Sequence, residues 1–181
     1  MSNAGIRKAP ETLEAVAEQE RRCVFPFFTS ETAWTVGTLL RNRLREASPR
    51  PAVVNITLAN TNQLLFHCAT RPGTLADNDT WVARKRATVL RWGVSTLQKN
   101  YSLAGSTTAQ KEVTFAAKFQ LGERVGQYAI HGGGFPIRVK GVEGVVGVIV
   151  VSGLTMEEDH EVIVEVLEDY LRKVESGEIK E

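Results

Sequence analysis

The reading of the fold starts at Gly144-Val145-Val146-Gly147-Val148-Ile149-Val150-Val151-Ser152-Gly153-Leu154-Thr155-Met156-Glu157-Glu158-Asp159-His160. Its apolar part, Gly144 to Val151, is far shorter than the roughly 20 residues a membrane-spanning helix needs. A short run of β-branched residues bounded by glycine reads instead as a strand buried on both faces and central to a sheet. Thr155 and Glu158 then match the capping-box pattern, in which hydroxyl and carboxylate satisfy each other's backbone donors at a helix start. That helix continues to about Glu175, with Val162, Ile163, Val166, Tyr170 and Val174 on one face. A central strand feeding an amphipathic helix predicts a sheet covered by helices.

Outward from there, four more strands are predicted. Val53 to Leu58 and Leu64 to Cys68 flank Asn60-Thr61-Asn62-Gln63, a hairpin connection rich in turn residues. Tyr128 to His131 and Phe135 to Val139 flank three glycines. The helices are Pro10 to Arg22, one opening at Thr29 or Ser30 with Ala33, Val36, Leu40 and Leu44 on its apolar face, one from Asn78 or Asp79 to about Tyr101, a short one carrying Val113, Phe115, Ala116 and Phe119, and the last. The expectation is an α/β (α+β) fold with a five-stranded, mainly antiparallel sheet and helices on both faces. The domain spans 10–176, with 1–9 and 177–181 as flexible termini.

Composition narrows the function. Over 181 residues, 43% hydrophobic content is enough to build a core, and a net charge of +1 argues against a generic polyanion binder. The N-terminus is not expected to be a signal peptide, because Glu11, Glu14, Glu18 and Glu20 interrupt the apolar core one would need. Cys23 and Cys68 sit among apolar neighbours without a second Cys or His at ligand spacing, so reduced thiols in a cytoplasmic protein are expected and a metal site is not. The cluster Arg84-Lys85-Arg86 with Arg91 spreads around its helix, which fits a solvated face or an oligomer contact better than nucleic acid.

His131-Gly132-Gly133-Gly134 has the look of an esterase oxyanion loop, but no Gly-x-Ser-x-Gly turn accompanies it, and the glycines lead into a strand rather than a phosphate-binding helix. A tight turn and a ligand-contacting loop both remain open. The helical wheels are sharper. Asp159 falls inside the apolar stripe of the last helix, and Lys85 lies between Trp81 and Trp92 on the long one. An unpaired buried charge costs several kcal/mol, so each needs a partner or a wet pocket. Asp159, Lys85 and His160 or His131 lining a polar pocket is one reading; Lys85 snorkelling outward while Asp159 supports its helix start is the other. Among the histidines, His67 reads as a core residue, whereas His131 and His160, each beside a loop, are placed to serve as an axial haem ligand.

The set His131-Gly132-Gly133-Gly134-Phe135-Pro136-Ile137, the Val145 to Val151 strand, Ser152-Gly153-Leu154 and Glu158-Asp159-His160 resembles the haem-degrading, HbpS/GlcG-like domain family. Asn78-Asp79-Thr80-Trp81-Val82-Ala83-Arg84-Lys85-Arg86 resembles its uncharacterised bacterial and fungal branch. The resemblance covers about residues 10 to 175. It implies a profilin-like α/β/α sandwich and a homo-oligomer, within a family that includes haem-binding proteins. Where haem-associated relatives read Ile-Gly-Val-Ser-Gly, this chain has Ile149-Val150-Val151-Ser152-Gly153, and Val150 is expected to close a ligand approach.

The function expected first is a cytosolic homo-oligomer acting as a non-enzymatic adaptor or scaffold for protein partners, without nucleic acid or membrane. A haem or tetrapyrrole binder is the second reading, with His131 or His160 on iron and Lys85 or Arg84 near the propionates. A small-molecule enzyme using Asp159, Lys85 and His160 is the third. The ligand-binding candidates are thus His131, Gly132, Gly133, Gly134, Lys85, Arg84, Asp159 and His160.

Overall fold

In the computed structural model, which describes residues 5–179, β5 (Gly147–Ser152) is buried along its whole length and lies third in a five-stranded sheet. The order is β1 (Val24–Phe25), β4 (Gly134–Val139), β5, β2 (Val53–Leu58) and β3 (Leu64–Ala69). β1 runs parallel to β4, and the other three pairings are antiparallel. Strand alternation sorts the side chains into two layers. Val54, Ile56, Phe135, Ile137, Ile149 and Val151 join the main core, against Ala33, Val36, Leu40 and Leu44 of α2 (Ser30–Ala47) and the apolar stripe of α6 (Met156–Glu175). Val53, Val148 and Val150 face the other way and pack on Val82 and Val89 of α3 (Ala76–Trp92). Helices therefore cover both faces, as the alternation of the sequence predicts.

The helix starts are encoded locally. The Thr155–Glu158 capping box forms at α6, and Thr29 caps α2 with Thr32 as its reciprocal partner. Thr12 caps α1 (Leu13–Arg22). At α3 the cap lies earlier than expected: Asn78 sits inside the first turn, where its Oδ1 accepts the N–H of Leu75 at 2.9 Å.

Three expectations are corrected. The fifth strand is β1, not Tyr128 to His131. Phe25 is fully buried and its carbonyl accepts from Lys140 N–H, which draws the chain alongside β4. In the Tyr128 to His131 segment, side chains of α3 take backbone groups of the first two residues instead: Thr88 Oγ1 donates to Ala129 O and accepts from Ala129 N–H, while Arg84 Nε donates to Tyr128 O. The helix expected to reach Tyr101 ends at Trp92, because Gly93 adopts φ 68° as a left-handed cap, and α4 (Thr96–Tyr101) starts afresh behind Ser95. His67 is exposed rather than core. Its Nδ1 meets Asn55 Nδ2 at 3.2 Å and its Nε2 lies 3.5 Å from Asp79.

The expected flexible termini lie partly outside the described residues, at 1–4 and 180–181. Within them, Arg7 is fastened to α6 by ion pairs with Glu161 at 2.5 Å and Glu168 at 3.0 Å. Among the described residues no helix is long and apolar enough to cross a membrane. Cys23 and Cys68 are free, and burial pushes the Cys23 thiol up to about 12.

Candidate functional site

Lys85 and Asp159 meet. Lys85 projects from the middle of α3 and Asp159 from the first turn of α6, and Nζ lies 2.9 Å from Oδ2 with the residues 2% and 3% exposed. Both are held further: Lys85 Nζ donates to Val151 O at 2.9 Å, and the Asp159 carboxylate accepts from Leu154 N–H at 3.0 Å and Gly153 N–H at 3.4 Å. One ion pair thus ties α3, the end of β5, the turn after it and the start of α6. Burial raises the Asp159 carboxyl above the usual range, while Lys85 and the two amides pull it back down. With its oxygens so engaged, the carboxylate is built to hold backbone rather than to shuttle protons.

The glycine loop makes this pair sterically feasible. Gly133 has φ +107°, and a Cβ there would stand 2.7 Å from Asp159 Cβ, 2.8 Å from Lys85 Nζ and against Val151 O. Gly132 packs on the first turn of α6, where a Cβ would come 3.3 Å from His160 Cβ. Gly134 opens β4, and its N–H donates to Thr96 Oγ1 at 2.9 Å. The loop is a close-approach device, with its tight turn and its place beside the cleft serving the same geometry.

Above the pair lies an open cleft of about 270 Å³. Leu75, Asn78, Trp81, His131, Leu154 and Met156 line its walls, and Lys85 and Asp159 lie on its floor. Trp81 is clamped: its Nε1 donates to Asp77 Oδ2 at 3.0 Å, Arg84 stacks over its ring at 4.6 Å, and His131 meets it edge-on at 4.9 Å. His131 Nδ1 is buried without a hydrogen-bond partner, and Glu112 Oε1 stands off at 3.9 Å. Burial lowers the His131 pKa, with Lys85 and Arg84 adding to the effect and Glu112 opposing it. A neutral imidazole with an unsatisfied nitrogen can coordinate a metal centre or accept a hydrogen bond.

The candidates therefore divide. His131, Lys85 and Asp159 share the cleft, with Gly132, Gly133 and Gly134 behind it. Arg84 braces Trp81 and Tyr128 outside the cleft lining. His160 is fully buried on the far side of Gly132, where its Nε2 meets Gln19 Oε1 at 3.1 Å, and burial takes its pKa down to about 3. Val150, expected to obstruct a ligand, packs beneath α3 and is no part of the cleft lining. Trp81, Asn78 and Met156 are cleft residues; the sequence reading puts Trp81 in a buried stripe and Asn78 at a helix cap, and gives Met156 no role. One signal was available for Trp81: it stands one turn before Lys85 on the same face. Among the described residues no group of three His, Cys, Asp or Glu side chains could hold a metal ion.

Residues 28–168 match the family described as Haem degrading protein HbpS-like. A UPF0303 protein of Streptomyces coelicolor is 44% identical over 160 residues, covering 88% of this chain and 94% of its own length. The UPF0303 protein YBR137W of Saccharomyces cerevisiae is 34% identical over 155 residues, covering 85% and 80%. The crystal structure of Ybr137w superposes with a TM-score of 0.80 at 32% identity over 93% of this chain and 91% of that one. The crystal structure of HbpS gives a TM-score of 0.58 at 17% identity over 80% and 89%, a likeness of fold.

Proposed function

The chain belongs to the HbpS-like family, and from that premise we propose that it is a non-enzymatic binding protein whose cleft grips the edge of a flat, haem-class tetrapyrrole, with His131 as the iron ligand. The observation that carries this reading is the half-buried His131 ring on the cleft wall, whose Nδ1 has no hydrogen-bond partner among the described residues and which burial keeps neutral. Trp81 offers a clamped aromatic wall, and Leu75, Leu154 and Met156 supply apolar surface around it. At about 270 Å³ the cleft is smaller than the roughly 300–1,000 Å³ of pockets that enclose a drug-sized ligand, so one protomer holds an edge rather than a whole macrocycle. Bound iron would supply an electrophilic centre. This chain's contribution is a coordinating nitrogen, a stacking wall and exclusion of water from one side.

The enzymatic reading loses ground because Asp159 and Lys85 spend their hydrogen bonds on each other and on backbone, and His160 is sealed away. Hemin titration tests the proposal. A saturable Soret shift is expected for the wild type, weakened at least about tenfold in His131→Ala and retained in His160→Gln. No saturable shift, or one indifferent to His131, overturns it. Homo-oligomerisation and a cytoplasmic setting belong to the same reading; the two free thiols support the latter. The adaptor reading stands second, favoured by a surface on the far end of α3.

A further inference from the structure

The near-neutral total hides a division of charge along the chain. Between residues 81 and 143 there are ten lysines and arginines against three acids, Glu112, Glu123 and Glu143; the remainder has twelve against eighteen. The basic segment is therefore +7 and the rest −6. Most of the paired surface arginines, such as Arg7, Arg22, Arg43 and Arg50, lie outside the basic segment.

At the C-terminal end of α3 three cations of this segment are arranged in a row. Arg91 lies 4.7 Å from the centroid of Trp92, and Lys99 of α4 lies 5.4 Å from the same ring. Lys99 is also 5.0 Å from the ring of Phe119, which Lys118 at the end of α5 (Thr108–Lys118) approaches to 5.8 Å. The rings themselves form one packed group with Phe115 and Tyr128, at centroid separations of 4.9 to 5.4 Å around Trp92 and Phe119. Among the described residues none of these three cations forms an ion pair with a carboxylate. Lys99 is half-buried, and burial followed by the like charge of Lys118 holds it below the usual lysine range. Cations spread on aromatic faces, with Trp, Tyr and Arg concentrated together, make the composition of an interface centre rather than of an ordinary solvated surface.

We propose that the Arg91–Trp92–Lys99–Phe119–Lys118 row is a docking surface for an acidic segment of a partner protein, whose carboxylates pair with the three cations. The occupant follows from charge and shape. The cations lie in sequence across three helices rather than converging in a cavity, which suits an extended chain better than a small anion. The ring faces are already occupied by cations, so they offer no free platform on which unpaired bases could stack. This surface is independent of the cleft and of any tetrapyrrole.

The test uses the full-length protein and a fluorescent, end-blocked peptide of about twelve residues, rich in Glu and Asp with one Leu. Fluorescence anisotropy at low salt should give saturable binding that weakens as salt screens the charges. Arg91→Glu with Lys118→Glu, both exposed positions, should weaken it at least about tenfold, and Lys99→Met should weaken it measurably. A control reversal elsewhere, Arg41→Glu with Lys140→Glu, should leave it within about twofold. The proposal is overturned if the peptide does not bind, if the control reversal weakens binding equally, or if a single-stranded oligonucleotide of matched charge binds as tightly and loses affinity with the same variants.

Discussion

The two faces of the sheet are built on different principles. Beneath α2 and α6 lies one continuous hydrocarbon layer of about twenty buried residues, from Cys23 to Tyr170. Beneath α3 the apolar layer is five valines, and the space around them is given to Lys85, Asp159, Thr88, Thr96 and Asn55. The first arrangement gains stability from dispersion and water release, and tolerates volume-conserving change. The second depends on a few directional contacts that each need both partners. A protein that must hold its fold while presenting polar chemistry gains from keeping these functions on opposite sides of one sheet.

The contrast predicts a ranked set of effects. The largest is expected for Lys85→Met, which strands the Asp159 carboxylate in the interior; breaking a buried pair costs about 3–5 kcal/mol. Chemical denaturation should show that loss, and Lys85→Met with Asp159→Leu should recover the part due to the stranded charge, while the Leu154 and Gly153 amides stay without their acceptor. A double variant no better than the single one would mean that the α3 face cannot be converted to a hydrocarbon layer. Gly133→Ala comes next, at about 3 kcal/mol, since the methyl group would meet Val151 O, Asp159 and Lys85 at a left-handed backbone position. A Gly133→Ala protein melting with the wild type would remove the close-approach role of the loop.

The next effect, smaller than either of these over one pH unit, concerns pH. His160 titrates near 6.5 when unfolded and at about 3 when folded, so it is neutral in the native state. The unfolded chain takes up the extra proton, and this contribution to stability is complete above about pH 6.5 and falls as pH drops toward 3. The slope attributable to His160 is about 1.4 kcal/mol per pH unit, and His160→Gln should flatten the stability profile by that amount. The smallest change is expected at Trp34, which is 63% exposed and touches Phe66 edge-on: Trp34→Ala should shift stability by no more than about 0.5 kcal/mol. A larger loss, growing with protein concentration, would place Trp34 in a contact between copies.

Much of this was legible in the sequence because it is periodic. Ala33, Val36, Leu40 and Leu44 repeat at helical spacing and are all buried; Val148 to Val151 split by parity between the layers. The inward placement of Lys85 and Asp159 followed from the same wheels, since a charge inside an apolar stripe is conspicuous. What escaped was whatever depends on contacts between distant segments. Tyr128 to His131 reads as a strand by composition, yet Thr88, about forty residues earlier, takes the hydrogen bonds of Ala129. His160 and Asp159 are neighbours in sequence, but only Asp159 reaches the cleft, because the helix turns about 100° between them.

The reach of Lys85 has a consequence for the cleft itself. Its four-carbon stem spans from the α3 backbone to Val151 O and Asp159, so the length of one side chain sets the height at which α3 rides over the end of β5. The depth of the cavity is in that sense gauged by a single spacer. A shorter cation at that position, such as ornithine introduced chemically, would draw α3 down while leaving every other lining residue unchanged.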